Sequence, residues 1–310
     1  MAACRPSVLL VTQLLSLPLG SPAILRASVQ PTSYGPRRSL AASRSASVHC
    51  SAIQTAAEKE LDDDRFLVRN VRNDVRVLRC GSSQMLEQGI LELQELPHIC
   101  VAGESNAGKS SLINHLLKKQ NVARASSVAG KTRSVDMLEV NERLVITDLP
   151  GLPSRDHQVE RMWDSSWRPL TLQYLRDCRA IRAMLYVHDI RWKISYMIRD
   201  FLRDVEETGV PVLLVLSKDD KLLVEAENMG TTQHELRTKM SNAVFRALSY
   251  QGVHIHYSCD NSLPFSRNAR RQILRYIEQL SALSSREESA QFLEDVAAKK
   301  RSKASPGKNS

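Results

Sequence analysis

Gly103-Glu104-Ser105-Asn106-Ala107-Gly108-Lys109-Ser110 is the stretch that decides the fold. It matches the pattern G-x-x-x-x-G-K-[ST], in which backbone N–H groups surround phosphates, the lysine neutralises the terminal ones and the last hydroxyl binds Mg²⁺. An apolar run at 98–102 precedes the loop, and the residues from Ser110 and Ser111 to 119 have helical periodicity. This chemistry requires a strand, a glycine-rich loop and a helix, because the helix N-terminus adds a positive field at the phosphates. We therefore predict that residues 103–111 bind the phosphates of a nucleotide.

The rest of the chain alternates between strand and helix patterns. Strands are predicted near 98–102, 135–140, 143–148, 181–189, 211–217 and 252–258, and helices near 110–119, 165–178, 194–208, 232–249 and 267–282. Such alternation favours a parallel sheet that is covered on both faces. The predicted fold class is α/β, a P-loop NTPase domain with a mostly parallel six-stranded sheet and helices on both faces. Ligands of such a sheet bind at the carboxyl ends of its strands.

Positive charge is concentrated at the two ends of the chain. The 310 residues carry a formal charge of +9. Residues 1–57 contain five arginines and no other charged residue, residues 299–310 contribute a further +5, and the segment between them carries −1. The charge of the folded part therefore gives no support for an RNA-binding groove. The basic C-terminal end is either a solvated tail or a segment that binds RNA phosphates.

Composition also suggests four segments. Residues 1–57 are rich in Ser, Ala and Arg, which is typical of an organelle transit peptide. Their spread of arginines favours the mitochondrial matrix, with a plastid address or an unaddressed disordered tail as alternatives. Residues 58–97 are predicted to be an N-terminal extension, 98–284 the nucleotide-binding domain, and 285–310 a short helix with a disordered basic tail. No apolar run is long enough to cross a bilayer as a helix.

The cysteines indicate no metal site. Cys4, Cys50, Cys80, Cys100, Cys178 and Cys259 form no C-x-x-C pair and have no histidine at ligand spacing. We interpret them as free thiols in a reducing compartment.

Further stretches at strand ends specify which nucleotide is bound. Asp148-Leu149-Pro150-Gly151 offers a carboxylate that holds Mg²⁺ through water and a glycine N–H that reaches the γ-phosphate. Thr132, in the loop that includes Gly130 and Lys131, completes the Mg²⁺ shell when a γ-phosphate is bound. In Ser217-Lys218-Asp219-Asp220, the Asp220 carboxylate accepts two hydrogen bonds from guanine, a donor pair that adenine lacks. Ser258-Cys259 places a backbone N–H at the guanine O6. The predicted ligands are GTP and GDP with Mg²⁺.

Together these motifs resemble the EngB (YihA/YsxC) family of TRAFAC-class GTPases over about residues 95–282. The resemblance rests on residues 103–114, 123–132 and 148–151, and on a second set of positions further along the chain. That set comprises Trp167, Leu170, Tyr174, Leu175, Asp189-Ile190-Arg191 and Met197-Ile198. Core packing alone also accounts for Trp167 and Tyr174.

Four positions depart from the family pattern. Ala129 replaces a proline, Ser217 a threonine and Cys259 an alanine, and Leu152 stands where the family has an aromatic residue. Ser217 keeps its hydroxyl and Cys259 its backbone N–H, so both changes are mild. The apolar Leu152 side chain cannot orient an attacking water molecule, whereas a glutamine at this position would.

The resemblance implies a GTP-hydrolysing switch with a slow intrinsic rate, which assists assembly of the large ribosomal subunit. In that mechanism Lys109 stabilises charge on the transferred phosphoryl group, and Gly151 contacts the γ-phosphate. Mg²⁺ is held by Ser110, by Thr132 and, through water, by Asp148. Asn106 stands where related GTPases bind K⁺, so K⁺ is a possible second cation.

The implied partners are a precursor of the large ribosomal subunit, its rRNA and other assembly factors. The transit peptide would make this an organellar, mitochondrial ribosome, and we expect a monomer. Two other functions remain open: a GTP-binding scaffold without useful turnover, and an ATP-dependent P-loop enzyme.

Overall fold

The computed structural model describes residues 73–123, 134–153, 157–260 and 262–304. The strands in these ranges are β1 (Val75–Cys80), β2 (His98–Gly103), β3 (Val135–Val140), β4 (Leu144–Asp148), β5 (Ile181–Asp189), β6 (Val212–Ser217) and β7 (His254–His256). The helices are α1 (Ser83–Leu93), α2 (Lys109–Leu117), α3 (His157–Met162), α4 (Arg168–Asp177), α5 (Tyr196–Glu207), α6 (Lys221–Met229), α7 (Gln233–Leu248), α8 (Pro264–Ser281) and α9 (Arg286–Ala304). A π-helical turn, Trp163–Trp167, joins α3 to α4.

The strands form one sheet in the order β1-β3-β4-β2-β5-β6-β7. β4, β2, β5, β6 and β7 are parallel, whereas β1 and β3 add an antiparallel edge. The five parallel strands point their carboxyl ends to the same side, so the loops after them meet there. This confirms the predicted α/β class and mostly parallel sheet, with seven strands in the described residues instead of six.

Each central strand contributes to two separate hydrophobic cores, one on each face of the sheet. In β2, Ile99 and Val101 pack on the face covered by α2, α8 and α9, while Cys100 and Ala102 face α1, α4 and α5. Alternation of side chains along a strand makes this division. Because both faces are covered, β2 is apolar throughout apart from its first residue, and every residue of it is buried.

The sheet takes in part of the predicted N-terminal extension. β1 pairs with β3 through a register that joins Val75 to Val140 and Cys80 to Val135. Arg76 of this edge strand forms ion pairs with Glu92 and Glu139 at 2.5 Å each. The strand is short and carries two arginines, which is how natural edge strands avoid pairing with other chains. Its partner is about 60 residues away, so local sequence patterns did not reveal it.

The C-terminal helix is longer than predicted. α9 runs from Arg286 to Ala304 and therefore includes Lys299, Lys300, Arg301 and Lys303, which were expected to be disordered. Leu293 and Ala297 are buried in the core beside α8. Packing against α8 stabilises a helix whose basic end has little apolar content of its own. Among the described residues, no helix is both long and apolar enough to cross a membrane.

Candidate nucleotide-binding site

The predicted phosphate loop lies between the carboxyl end of β2 and the first turn of α2. A Cβ atom on Gly103 would lie 2.1 Å from the Val187 carbonyl oxygen of β5, so this position accepts only glycine. Asn106 and Gly108 have positive φ angles of 65° and 103°. Such a backbone turns successive N–H groups toward one concavity, and the first N–H groups of α2 have no partner within the helix. The loop therefore has the geometry of an anion site.

Lys109 folds back over this loop. Its Nζ donates hydrogen bonds to the carbonyl oxygens of Gly103 at 3.0 Å and Glu104 at 3.1 Å. Burial lowers the pKa of Lys109, whereas the carboxylates of Asp148 and Glu104 raise it. A buried cation held only by carbonyl groups and nearby carboxylates is suited to exchange these contacts for phosphate oxygens.

Ser110 and Asp148 meet where Mg²⁺ is expected. Ser110 Oγ donates to Asp148 Oδ2 at 3.3 Å, and Asp148 Oδ1 is buried with no hydrogen-bond partner among the residues that the structure describes. Burial raises the pKa of Asp148 to about 6, against the opposite effect of Lys109. An orphaned buried carboxylate oxygen beside a serine hydroxyl fits a hard divalent cation and its water. The residues present therefore suit Mg²⁺.

Gly151 lies directly against the phosphate loop. A Cβ at this position would be 2.8 Å from Ser105 Oγ and 3.0 Å from Lys109 Nζ. Leu152 N donates to Gly103 O at 3.1 Å, and Ser105 N donates to Leu152 O at 2.8 Å. Leu149 and Leu152 are fully buried. Leu149, Pro150 and Gly151 thus stay next to the phosphate loop through backbone pairing, and the Leu152 side chain faces the core.

On the base side, Ser217 and Lys218 hold the phosphate loop from the end of β6. Ser217 Oγ donates to Ala107 O at 2.6 Å and to His188 O at 3.1 Å. Lys218 Nζ donates to Asn106 O at 2.6 Å. The hydroxyl that Ser217 shares with the family threonine therefore has a structural partner in the phosphate loop.

The two adjacent aspartates that follow have different roles. Asp219 is fully buried, and its carboxylate pairs with Arg237 of α7 and with His256 of β7. Burial favours the neutral acid, but His256 and Arg237 hold the pKa of Asp219 below its usual value. Asp220 is partly exposed and contacts Lys221 at 3.1 Å. Asp220 is thus the more accessible of the two carboxylates, its contact with guanine stays a prediction, and Asp219 anchors the loop.

The last predicted base contact lies just beyond β7. Ser258 is buried and its Oγ accepts a hydrogen bond from the Asp260 N–H at 3.0 Å, while Cys259 is exposed. Although Cys259 is exposed in part, neighbouring groups desolvate its sulfur and so raise the pKa of the thiol; Tyr257 lowers it, the Asp220 carboxylate raises it and Lys218 lowers it. The loops after β6 and β7 lie side by side, because the two strands pair in parallel and Asp219 N donates to Tyr257 O at 3.2 Å. The structure therefore brings the base-side residues together.

Asp189 supports this base side, although sequence patterns assigned it no role beyond family likeness. Its buried carboxylate accepts hydrogen bonds from Arg191 Nη2 at 2.8 Å and Nε at 2.9 Å, and lies 3.1 Å from Lys218 Nζ. Lys218 Nζ also lies 5.2 Å from the centre of the Trp192 ring. The sequence signal from which the role of Asp189 could have been predicted is an acidic residue at the carboxyl end of a central strand.

The family positions at the end of the π-helical turn and on α4 form part of the core. Trp167, Leu170, Tyr174 and Leu175 are all buried, as expected from packing. Tyr174 OH also contacts Thr147 Oγ1 at 2.7 Å and His98 Nδ1 at 2.9 Å. Tyr174 thereby links α4 to the strand that ends in Asp148.

Some predicted residues lie outside the described ranges. These are Ala129, Gly130, Lys131 and Thr132, which belong to residues 124–133. Asn106, the candidate K⁺ ligand, is described and exposed at the surface of the phosphate loop.

Comparison with known proteins gives the same assignment. The family model described as "50S ribosome-binding GTPase" matches residues 98–218. A probable GTP-binding protein EngB of Gemmatimonas aurantiaca is 38% identical over 130 residues, which are 41% of this chain and 61% of that protein. The EngB protein of Syntrophomonas wolfei is 34% identical over 168 residues, 53% of this chain and 84% of the relative.

The alignment with the first of these relatives thus spans less than two thirds of its length. A crystal structure of a probable GTP-binding protein engB gives a TM-score of 0.39 at 21% identity, and covers 57% of this chain and 98% of that one. From the motifs, their geometry and the identity over most of the Syntrophomonas protein, the chain belongs to the EngB family of GTPases.

Proposed function

We propose that the chain binds and hydrolyses GTP as a switch that assists assembly of the large subunit of a mitochondrial ribosome. One observation carries the nucleotide assignment. Asp220, Lys218 and Cys259 follow the paired strands β6 and β7, and Lys218 Nζ donates to Asn106 O of the phosphate loop at 2.6 Å. This contact joins the predicted base side to the phosphate loop, as the binding of one guanine nucleotide across both requires.

Different residues of this chain contribute to different parts of the hydrolysis reaction. Lys109 and the N–H groups of the phosphate loop stabilise negative charge on the transferred phosphoryl group. Ser110 and Asp148, with Thr132, would hold the cation and its water, and the Gly151 N–H would contact the γ-phosphate. When bound, Mg²⁺ neutralises charge on the β- and γ-phosphates.

The switch is proposed to lie in the segments after the phosphate loop and after β4, residues 121–135 and 150–166. Leu152 pairs with Gly103 and Ser105 through the backbone, so this part of the second segment contacts the phosphate loop directly. Contacts to a γ-phosphate would hold both segments, and hydrolysis would release them together with a partner.

A second function, GTP binding without useful turnover, is favoured by Leu152. Its side chain is fully buried and apolar, so it cannot orient a water molecule. Single-turnover hydrolysis with and without ribosomal particles separates the two functions. Stimulation by the particles supports the switch, whereas no hydrolysis in either case supports the scaffold.

We also propose that K⁺ binds beside the phosphates at Asn106 and accelerates hydrolysis. Asn106 has a positive φ and is exposed at the surface of the phosphate loop. Turnover is expected to be faster in KCl than in NaCl at the same ionic strength. Equal rates in the two salts would rule this out.

The ribosomal partner and the organelle rest on family likeness and on the composition of residues 1–57. We propose the mitochondrial matrix as the location, with a plastid as the alternative, and a monomer that acts with other assembly factors. The test is capture of the tagged protein from organelles with a non-hydrolysable GTP analogue or with GDP. Large-subunit rRNA recovered with the analogue and lost with GDP is the expected result. Absence of ribosomal RNA in both states would refute the ribosomal role.

A further inference from the structure

Helix α8 exposes a row of arginines. Arg267, Arg271 and Arg275 follow one another at four-residue intervals, and all three are exposed. Ile273, Ile277 and Leu280, on the other side of the helix, are buried in the core. Four residues of helix correspond to a rise of about 6 Å, so the guanidinium groups are spaced along the helix in regular steps. This spacing is similar to that of successive phosphates in a nucleic acid strand.

Helix α9 packs against α8 and carries the basic end of the chain. The Phe292 ring lies 6.4 Å from the Tyr276 ring of α8, and Lys300 Nζ lies 5.8 Å from the centre of that ring. These contacts hold α9 against the helix that carries the arginine row. Lys299 and Lys303 are exposed on the last turns of α9. We name the surface formed by Arg267, Arg271, Arg275, Lys299, Lys300 and Lys303 the α8–α9 basic face.

The charges of this face are not neutralised within the part of the chain that the structure describes. None of its six cations forms an ion pair there with a described carboxylate. The acids nearest in sequence are Glu278, one turn after Arg275, and the pair Glu294 and Asp295 on α9. Residues 296–304 contain four cations and no acid. A one-sided positive surface of this kind attracts polyanions.

The absence of apolar anchors favours nucleic acid over a membrane. Basic helices that bind lipid surfaces also expose large apolar side chains. In the described residues the exposed large apolar side chains are Met85, Leu91, Tyr196, Leu223, Val224 and Met229, and none of them lies on α8 or α9. Guanidinium groups donate to phosphate oxygens in pairs, which suits a phosphate backbone.

We propose that the α8–α9 basic face binds the phosphate backbone of RNA. This inference rests on the proposed role in ribosome assembly and assigns the contact with RNA to a defined surface. The face begins beside the base-binding loop, because Ser266 Oγ in the first turn of α8 donates to Ser258 O. The summed charge of residues 58–298 is close to neutral, because acidic residues elsewhere in this segment balance the arginines of the face. The sum therefore did not reveal this surface.

The test compares two triple variants of the full chain. The face variant is Arg267→Gln, Arg271→Gln and Arg275→Gln. The matched control, Arg176→Gln, Arg199→Gln and Arg246→Gln, removes the same charge from exposed positions on α4, α5 and α7. Binding of a fluorescein-labelled RNA hairpin of mixed sequence is measured by anisotropy over a range of KCl concentrations. GTP affinity is measured for each protein to verify folding. A second face variant, Lys299→Gln, Lys300→Gln and Lys303→Gln, tests the lysines of α9 independently of the arginines of α8.

The face variant is expected to bind the hairpin at least roughly tenfold more weakly, with a slope of log K against log[KCl] shallower by about 2. The control is expected to change affinity less than about twofold. Equal weakening of the face variant and the control would overturn the proposal, as would wild-type binding to phosphatidylserine vesicles without binding to the hairpin. Loss of hairpin binding in both face variants, together with no rRNA in the organelle capture, would keep the surface and reject the ribosomal role.

Discussion

At the scale of single residues, the two adjacent aspartates at the end of β6 show how much depends on the environment of a side chain. Asp219 is enclosed by Arg237 and His256, whereas Asp220 is partly exposed. Their order in sequence matches the family pattern, which predicts that Asp220 is the carboxylate that contacts guanine. No local pattern assigns Asp219 a role, because its partners are 18 and 37 residues further along the chain.

Asp220→Ala is expected to remove the preference for GTP over ATP. The carboxylate is the acceptor for two guanine donors, and its loss costs about 3 kcal/mol, or roughly a hundredfold in GTP affinity. ATP affinity should change little. Fluorescence titration with both nucleotides measures this, with Glu227→Ala on the same helix as the matched control. Equal affinities for GTP and ATP in the wild type would refute the guanine assignment.

Ser217→Ala is expected to weaken GTP and ATP by a similar factor, roughly tenfold. The hydroxyl bonds to Ala107 O and His188 O, so its removal loosens the phosphate loop and leaves the base contacts intact. Ser217→Thr keeps the hydroxyl and should bind as the wild type does. The two variants are compared by titration calorimetry. A selective loss of GTP binding in Ser217→Ala would instead place Ser217 at the base.

At the scale of elements, a buried polar chain joins α4 to β2 and β4. His98 Nε2 lies 3.1 Å from Leu93 O, so this nitrogen donates and Nδ1 accepts from Tyr174 OH. Thr147 then donates to the Tyr174 oxygen at 2.7 Å. The chain needs a neutral imidazole, and burial lowers the pKa of His98 to about 4. Periodicity placed Tyr174 on a buried helix face, but no local pattern reveals the partner of its hydroxyl.

Tyr174→Phe is expected to lower the free energy of unfolding by about 1–3 kcal/mol. The substitution keeps the ring in the core and leaves His98 Nδ1 and the Thr147 hydroxyl without this partner. GTP affinity should stay close to that of the wild type, because Tyr174 does not reach the cleft. Denaturant unfolding and nucleotide titration measure the two effects. An unchanged stability would mean that the hydroxyl network contributes nothing.

The neutral state of His98 also makes stability depend on pH. Its ordinary pKa of 6.5 applies to the unfolded chain, while the folded value is about 4. Between these values the unfolded state binds more protons, so the contribution of His98 is complete above pH 6.5 and is lost as the pH falls toward 4. Relative to His98→Asn, the wild type should lose up to about 3 kcal/mol over this range. Urea unfolding of both proteins measures the difference in their free energies of unfolding. A difference that does not vary with pH would contradict this prediction.

At the scale of the whole molecule, α9 connects elements that are far apart in sequence. Arg286 at its start donates to Thr208 O at 2.8 Å, to Leu175 O at 2.8 Å and to Cys178 O at 2.6 Å. These carbonyls lie at the ends of α5 and α4. Its middle part packs on α8, and Lys300 near its end lies over the Tyr276 ring of α8. A segment that composition described as a tail is therefore part of the domain.

Arg286→Gln is expected to destabilise the protein by about 2–4 kcal/mol, because three carbonyls lose a charged donor. Arg199→Gln, which removes the same charge from an exposed position on α5, should change stability by less than about 0.5 kcal/mol. Thermal and denaturant unfolding compare the two variants. Equal stabilities would show that α9 is attached by its apolar contacts alone.

Local patterns in the sequence were enough to specify the phosphate loop and the parallel strands, and they predict the base motif. Gly103, Lys109 and Asp220 are specified by local patterns, because their chemistry requires fixed residue types at fixed spacing next to a strand end. The tertiary structure alone decided the pairing of β1 with β3, the burial of Asp189 and Asp219, and the gathering of the α8–α9 basic face. These features depend on contacts between distant segments, and composition sums charges without regard to where the fold places them.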